Sequence, residues 1–225
     1  NPYFSSLDGV LTDKNRTTIV AYPAGKGKRY IIPDGITKIG THSFFACPIT
    51  YIHTPNSVKT IELFAFASCT DLDTIILGNS VDSIEGAAFR INDRLKTIYS
   101  MNPIPPAAHP EAFSSFSPMF FIQCTLYVPV GSLQAYKNAE VWKNFKNIVE
   151  NDFTGIERPS PDKAKIFGNK NSISFRNIEP GTDISIYDTT GKCIKTFAVD
   201  GDSEIPLPSG IYLIKYAGRT VKIIL

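Results

Sequence analysis

Apolar residues recur along the first half of the chain with a period of 22 to 23 residues. The second repeat runs complete from Pro55 to Leu72 and reads Pro-x-x-Val-x-x-Ile-x-x-x-x-Phe-x-x-Cys-x-x-Leu. Four apolar columns keep this spacing from repeat to repeat: Tyr30, Ile52, Ile75 and Ile98; Ile36, Val58, Val81 and Ile104; Ile39, Ile61 and Ile84; Phe44, Phe66 and Phe89. Such a fixed period indicates a stacked repeat architecture.

Each repeat alternates short apolar pairs with polar residues and then surrounds its phenylalanine with small residues, which predicts a short strand, a turn and a short helical turn. A single coil of this kind cannot bury its own apolar face, so the coils must stack at about the spacing of neighbouring strands. Cys47, Cys69 and Asn92 each follow a column phenylalanine by three residues. We expect a buried column of small groups there, with structural thiols, although the spacing also permits a disulfide.

The ends of the repeat region have their own signals. At the start, Leu7–Leu11 and Thr18–Tyr22 flank a polar segment and predict a hairpin. Near the end, the proline-rich residues 102–110 predict that the stack stops, because proline donates no backbone hydrogen bond. A further strand is expected at Thr125–Pro129. After it, Gly131 and Ser132 begin a predicted amphipathic helix whose apolar residues recur every three or four positions, with Trp142 sealing the last coil: Ala135, Ala139, Trp142, Phe145 and Val149.

A second domain is predicted after a polar, proline-bearing boundary at residues 151–163. Residues 164–225 contain short runs with period-2 alternation and no helical window, which predicts a small antiparallel β-sandwich of six or seven strands. The predicted organisation is a repeat domain with its hairpin and helical cap at 1–150, a linker at 151–163 and the sandwich at 164–225. The predicted fold class is therefore α+β to mainly β.

Composition and charge narrow the function. The chain has 225 residues, with 23 Lys and Arg against 21 Asp and Glu, and this even balance argues against nucleic acid as a partner. The sequence contains no window of 18 consecutive apolar residues, so no membrane-spanning helix is predicted. Four cysteines are too few for a disulfide-stapled scaffold. The chain opens on Asn1 without an initiator methionine, so we expect that a leader was removed before this residue.

The sequence carries no pattern typical of an enzyme. His42, His53 and His109 are far apart, and neither a nucleophile motif, nor a metal-ligand spacing, nor a phosphate-binding loop is present. We therefore predict no catalytic residue, no metal and no cofactor. Binding is the expected activity, through two strand columns predicted to face outward on either side of the buried one: Arg29, Tyr51, Thr74 and Thr97; Ile31, His53, Ile76 and Tyr99. The sequence leaves open whether this apolar patch is exposed or is covered by the cap or the second domain.

The repeat from Pro55 to Leu72, the lead-in Asp8-Gly-Val-Leu and the closing segment from Leu126 to Val149 resemble the BspA-like leucine-rich repeat family of bacterial surface proteins, over about residues 7 to 150. The Asn-Pro-Ile-Pro-Pro run at 102–106 departs from the regular repeat. The resemblance implies a leucine-rich repeat solenoid without catalytic residues. It also implies a secreted or outer-membrane-attached protein that binds host or neighbouring-cell macromolecules.

The second domain resembles the C-terminal sorting domain of the type IX secretion route, over nearly its whole length. The residues that carry this resemblance are Ile184-Ser-Ile-Tyr-Asp188, Gly191-Lys, Leu207-Pro-Ser-Gly210 and Val221-Lys-Ile-Ile-Leu225. It implies export and surface attachment, although related domains elsewhere act only as terminal β modules. The first hypothesis is thus a non-enzymatic surface adhesion protein. The alternatives are a surface glycan-binding accessory protein, which would stack sugars on Tyr51 and Tyr99, and a hydrolase.

Overall fold

The computed structural model describes residues 1–115, 117, 119–154, 165–169, 171–176, 178, 181–199, 203–216 and 219–225. The chain divides into two units, Asn1–Ile156 and Glu157–Leu225. Residues 151–154 of the predicted linker are described, and the rest of it lies outside the described residues.

The first unit is built from thirteen short strands and very little helix. Its elements in chain order are β1 (Phe4–Leu7), β2 (Val10–Asp13), β3 (Thr18–Ala21), β4 (Arg29–Ile31), β5 (Lys38–Ile39), β6 (Tyr51–His53), β7 (Thr60–Ile61), β8 (Thr74–Leu77), β9 (Ser83–Ile84), β10 (Thr97–Ser100), β11 (Ala107–Ala108), α1 (Phe120–Gln123), β12 (Thr125–Pro129), α2 (Leu133–Asn138), a 3-10 turn (Trp142–Asn144) and β13 (Asn147–Asn151).

These strands form two sheets. Sheet A has the order β1-β2-β3-β5-β7-β9-β11, and sheet B has the order β13-β12-β10-β8-β6-β4. The β2–β3 pair is antiparallel and confirms a hairpin around the polar segment. The predicted strand Leu7–Leu11 is divided, because the chain turns at Asp8 and Gly9 and β1 pairs antiparallel with β2. The other pairs in both sheets are parallel, with Tyr30, Ile52, Ile75 and Ile98 directly aligned. The result is a mostly-β solenoid of about six turns, and its register is the one that the repeat columns predict.

A ladder of phenylalanine rings runs through the interior of this solenoid. Phe44, Phe66, Phe89 and Phe113 lie with successive ring centroids 4.8, 5.3 and 5.1 Å apart. All four rings are at most 2% exposed. Tyr22 stacks on Phe44 at 4.9 Å and closes the ladder at one end. Because these separations nearly equal the spacing between neighbouring strands, ring stacking and strand pairing reinforce each other.

The corners that carry the phenylalanines are turns, and the predicted short helical turn is wrong there. Two non-glycine residues in each of three successive corners have a left-handed backbone: His42 and Ala46, Phe64 and Ser68, Ala87 and Ile91, with φ between 54° and 60°. This conformation costs on the order of 1 kcal/mol or more per residue. Hydrogen bonds from coil to coil offset that cost, as the Phe66 N–H donates to the Ala88 carbonyl at 2.8 Å and the Phe89 N–H donates to the Ala112 carbonyl at 2.8 Å.

The predicted buried column of small groups is confirmed. Each member directs a polar atom at a carbonyl of the preceding coil: Cys47 Sγ lies 3.6 Å from the Tyr22 oxygen, Cys69 Sγ lies 2.9 Å from the Phe44 oxygen, and Asn92 Nδ2 lies 2.9 Å from the Phe66 oxygen. The cysteines are free thiols, so the structure holds no disulfide at the position where the spacing permitted one.

The proline-rich segment does not end the stack, contrary to the prediction. β11, which lies within this segment, pairs with β9, and Phe113 continues the phenylalanine ladder. Ile104 is 73% exposed and does not occupy the Val81 column. This repeat is one residue longer than the one before it, so the segment bulges outward. In its place Asn102 is buried and its Nδ2 donates to the Val81 carbonyl at 3.0 Å.

The predicted cap helix ends early. α2 stops at Asn138, Val141 has a φ of 71°, and Val149 lies in β13 and is 44% exposed. The helix does not continue to Val149 because residues 147–151 form a strand that pairs in parallel with all five residues of β12. Trp142 does seal the stack as predicted: it is fully buried, and its Nε1 donates to the Pro106 carbonyl at 2.7 Å.

The second unit consists of antiparallel strands in its described part. They are β14 (Lys165–Asn169), β15 (Ser172–Arg176), β16 (Asp183–Tyr187), β17 (Cys193–Ala198), β18 (Ser203–Pro206), β19 (Ile211–Tyr216) and β20 (Arg219–Ile224). One sheet has the order β14-β15-β18 and the other β17-β16-β19-β20. Residues of both sheets share one buried cluster that includes Phe175, Ile186 and Ile214. Gly168 allows β14 to approach β20, because a Cβ there would lie 2.8 Å from the Ile224 oxygen.

The ladder predicts that alanine substitutions of two phenylalanines in the repeat region lower the free energy of unfolding by very different amounts. Phe66→Ala removes a fully buried rung, and we expect it to lower the free energy of unfolding by about 3–5 kcal/mol. Phe45→Ala removes a ring that is 49% exposed, and we expect a loss below about 1 kcal/mol. Urea unfolding followed by circular dichroism measures both. Equal losses in the two variants would show that the ladder does not carry the stability of the solenoid.

The burial of three of the four thiols predicts that only Cys193 is labelled in the native protein. Burial raises the pKa of the Cys69 and Cys124 thiols to about 12 and also raises the pKa of Cys47, whereas Cys193 is exposed. The three buried thiols therefore stay protonated at pH 8, and only the thiolate reacts. We expect one thiol per chain to react with a disulfide reagent in the native protein, four after denaturation, and none in native Cys193→Ser. A second thiol that reacts quickly in the native protein would contradict this assignment.

Candidate functional site

The strand columns predicted to bind a ligand are aligned in sheet B. Arg29, Tyr51, Thr74 and Thr97 are direct partners in successive strands, and so are Ile31, His53, Ile76 and Tyr99. β12 and β13 extend both columns, the first with Thr125 and Asn147 and the second with Tyr127 and Val149. The sequence analysis missed Tyr127 because 28 residues separate it from Tyr99. The signal was present, since Thr125-Leu-Tyr127 repeats Thr97-Ile-Tyr99.

Part of the predicted surface is not exposed. Ile31, His53 and Ile76 are 5%, 3% and 3% exposed, so of the two alternatives that the sequence left open, the covered one applies to these three residues. Side chains aligned at the spacing of parallel strands cover one another. The chain after β13 also returns to this face, where Phe153 packs edge-on against Tyr99 with ring centroids 6.3 Å apart. The accessible part of sheet B is therefore limited to the remaining members of the two columns.

The accessible part centres on two tyrosines. Tyr99 and Tyr127 stack with ring centroids 4.8 Å apart and ring planes 16° apart, and both side chains are half-buried. Burial raises the pKa of Tyr99, and the neighbouring Tyr127 adds to this shift, so the Tyr99 hydroxyl is protonated at neutral pH. Two rigid rings whose hydroxyls can both donate and accept hydrogen bonds provide an amphipathic contact of the kind enriched in protein interfaces.

The first column has a different character. The Arg29 guanidinium lies over the Tyr51 ring, 4.1 Å from its centroid. Thr74 donates through Oγ1 to Asp73 at 2.9 Å, and Lys96 lies 3.7 Å from the same carboxylate. These residues are half-buried or exposed and add alternating charge beside the tyrosine pair.

The accessible faces of the tyrosine rings determine whether a sugar can stack on them. A sugar stacks on a free aromatic face, but Arg29 covers one face of Tyr51, and Tyr99 and Tyr127 each cover one face of the other. The hydroxyl edges of the pair remain for hydrogen bonds with an incoming ligand. This geometry suits hydrogen bonding and edge packing better than it suits stacking of a pyranose ring.

Residues capable of chemistry are dispersed in the described part of the chain. His42 stacks on Phe64 at a corner, His53 lies buried in β6, and Nδ1 of His109 accepts the Glu111 N–H at 3.2 Å. Among the residues that the structure describes, no three His, Cys, Asp or Glu side chains group as metal ligands would. Within the same residues, no helix is long and apolar enough to cross a membrane.

Comparison with solved structures finds bacterial leucine-rich repeat proteins. The pneumococcal vaccine antigen PcpA is 18% identical with a TM-score of 0.42, and the match covers 67% of this chain and 48% of that one. A leucine-rich repeat protein from Bacteroides capillosus is 26% identical with a TM-score of 0.38, covering 56% and 94%. A leucine rich cell surface protein from Faecalibacterium prausnitzii is 18% identical with a TM-score of 0.36, covering 66% and 40%. This chain thus spans about half the length of the pneumococcal antigen.

No curated protein matches the sequence. One family model does match it, the BspA type Leucine rich repeat region, in six copies over residues 23–126. The matched residues include the aligned strands β4, β6, β8 and β10 and the phenylalanine ladder from Phe44 to Phe113. Residues 23–126, which are somewhat under half of the 225, are a repeat region that matches the BspA type of leucine-rich repeat.

Proposed function

We propose that this protein is a non-enzymatic binding protein of the bacterial cell surface that recognises another protein through sheet B of its repeat region. The observation that carries the proposal is the stacked pair Tyr99 and Tyr127, held by two neighbouring parallel strands and bordered by Phe153. Solenoid repeats present extended faces of this kind to their partners. The leucine-rich repeat match over residues 23–126 supports the same reading.

A protein ligand fits the accessible face better than a glycan. Interface energy concentrates in a few rigid aromatic side chains surrounded by polar groups. The tyrosine pair supplies the aromatic centre, and Lys96 and Asp73, which precede Thr97 and Thr74 in the chain, supply charges of both signs near it. The alternative of a glycan-binding accessory protein depends on free ring faces at Tyr51 and Tyr99, and one face of each of these rings is covered.

The location outside the cytoplasm and the absence of catalysis are parts of the same proposal. The match of the repeats to the BspA type of leucine-rich repeat supports a surface location. The proposal includes no catalytic step, because the sequence carries neither a nucleophile motif nor a phosphate-binding loop. We further propose that the second unit is a β-sandwich module that exports or attaches the protein, by the type IX route, at the outer membrane. Its two antiparallel sheets with a common core support this role.

The proposed role of Tyr99 and Tyr127 predicts that replacing them weakens binding in a screen, while a control substitution does not. The purified chain is tested against immobilised matrix proteins and against a glycan array, with the double variant Tyr99→Ala and Tyr127→Ala beside it. We expect saturable binding to a protein and about a tenfold rise in Kd in the double variant, because truncated aromatic anchors typically cost more than 1 kcal/mol. Tyr3→Ala removes a tyrosine that is 75% exposed elsewhere in the same unit, and it should bind like wild type.

A second variant separates binding from folding. Tyr99→Phe with Tyr127→Phe keeps the stacked rings and removes only the hydroxyls, so its Tm should stay near that of wild type. Binding that is weaker in this variant assigns the hydroxyl edges to the interface. The proposal is overturned if no protein binds, if the double alanine variant binds like wild type, or if glycans are the only ligands bound.

A further inference from the structure

A notch interrupts the corner of the solenoid that lies between the two sheets. Two adjacent corner positions repeat along it, and their residues in four successive coils are Thr41-His42, Leu63-Phe64, Gly86-Ala87 and Pro110-Glu111. The register is fixed by the His42 N–H, which donates to the Leu63 carbonyl at 3.2 Å, and by the Phe64 N–H, which donates to the Gly86 carbonyl at 3.3 Å. Only the third coil has two small residues at these positions, so a gap opens there.

The gap is large and asymmetric. Its volume is 580 Å³, and it is an open groove and not an enclosed cavity. Leu63 and Phe64 line it on one side, and Leu63 is 40% exposed while the Phe64 ring is backed by His42 at 5.0 Å. His109 lines it from the following coil. Ala87 forms part of the floor and is only 4% exposed, so the floor is apolar and belongs to the packed core.

The charged side chains that line the notch are negative. Glu85 and Glu111 line it, and among the residues that the structure describes no lysine or arginine does. Glu85 is held in place because its Oε2 accepts the Leu63 N–H at 3.0 Å. Nδ1 of His109 accepts the Glu111 N–H, so in the neutral ring Nε2 carries the proton and is available as a donor. An occupant therefore meets an apolar wall and floor beside two carboxylates.

We propose that this notch binds a segment of a partner protein in which a large apolar side chain stands next to a lysine or arginine. The apolar side chain lies in the notch and packs against Leu63 and Phe64. The neighbouring cation then pairs with Glu85 or Glu111. Phosphates of nucleic acids or lipids are repelled by these carboxylates.

This site is independent of the tyrosine pair on sheet B. The notch lies at a corner of the coils, and its lining shares no residue with the two strand columns. The two surfaces can therefore be removed one at a time, and failure of one proposal leaves the other standing.

Filling the notch tests the proposal. Gly86→Leu restores the large side chain that the preceding coil has at this position. The backbone of Gly86 is not left-handed, and its added Cβ would meet only exposed side chains, at 3.3 Å for His109 Nδ1 and 3.4 Å for Leu63 Cδ1, so the variant is expected to fold. Thr41→Leu is the matched control, because it places the same side chain at the same corner position outside the notch.

The probe is a phage-displayed random heptapeptide library selected on the wild-type chain. We expect enriched peptides with an apolar residue next to lysine or arginine, binding that falls at least tenfold in Gly86→Leu, and unchanged binding in Thr41→Leu. Glu111→Gln should raise the Kd of a synthetic enriched peptide by about two- to fivefold, which corresponds to one exposed ion pair.

Three results would overturn the proposal. The first is a selection that yields no enriched peptide, or only peptides without a basic residue. The second is peptide binding that survives in Gly86→Leu while the Tm of that variant matches wild type. The third is binding that is lost equally in Thr41→Leu, which would place the peptide elsewhere on the corner. Loss of binding only in the Tyr99 and Tyr127 double variant would likewise assign the peptides to sheet B.

Discussion

Ring stacking along the interior sets the distance between successive coils, and the rest of the repeat region depends on that distance. Parallel strands need about 4.7–4.9 Å between neighbours, and aromatic rings favour centroid separations of about 4.5–7 Å. The phenylalanine ladder, at 4.8 to 5.3 Å, satisfies both. Its corners also keep left-handed residues such as His42 and Phe64, whose N–H groups bond to the next coil. The backbone strain is tolerated because the neighbouring coil satisfies these donors.

The same register determines what the surface presents. Residues at one repeat position lie directly above one another, so a substitution in one coil changes one rung of a surface column and leaves the other columns in place. A change in repeat length acts differently. The extra residue in the fourth repeat expels Ile104 to 73% exposure, while Ala108 and Phe113 return to their columns immediately afterwards. Irregularity is thus absorbed on the outside, where no ladder must be maintained.

The buried columns could be predicted from the sequence because burial demands an apolar residue at every period, as at Ile52, Ile75 and Ile98. The corner conformation could not, since His42 and Ala87 adopt a left-handed backbone without the glycine that usually signals it. Whether Ile31 and His53 are exposed or covered stayed open for another reason. Their burial depends on tertiary contacts, which the repeat pattern does not specify. Tyr127 was missed because the period changes before it.

The residues that stabilise the solenoid differ from those that form its surfaces. This separation explains how one repeat region can carry two different surfaces. Leu63 and Gly86 occupy the same corner position in adjacent coils, yet Phe66 and Phe89 behind them stack with ring planes only 8° apart. Replacing a large corner residue by a small one therefore changes the surface at little cost to the ladder. The tyrosine pair offers stacked rings with hydroxyl groups, whereas the notch is apolar and bordered by carboxylates. A uniform polymer offers the same chemistry at every point, but a folded protein offers different groups at different places. Two dissimilar contact surfaces on one repeat region thus favour a protein as the partner.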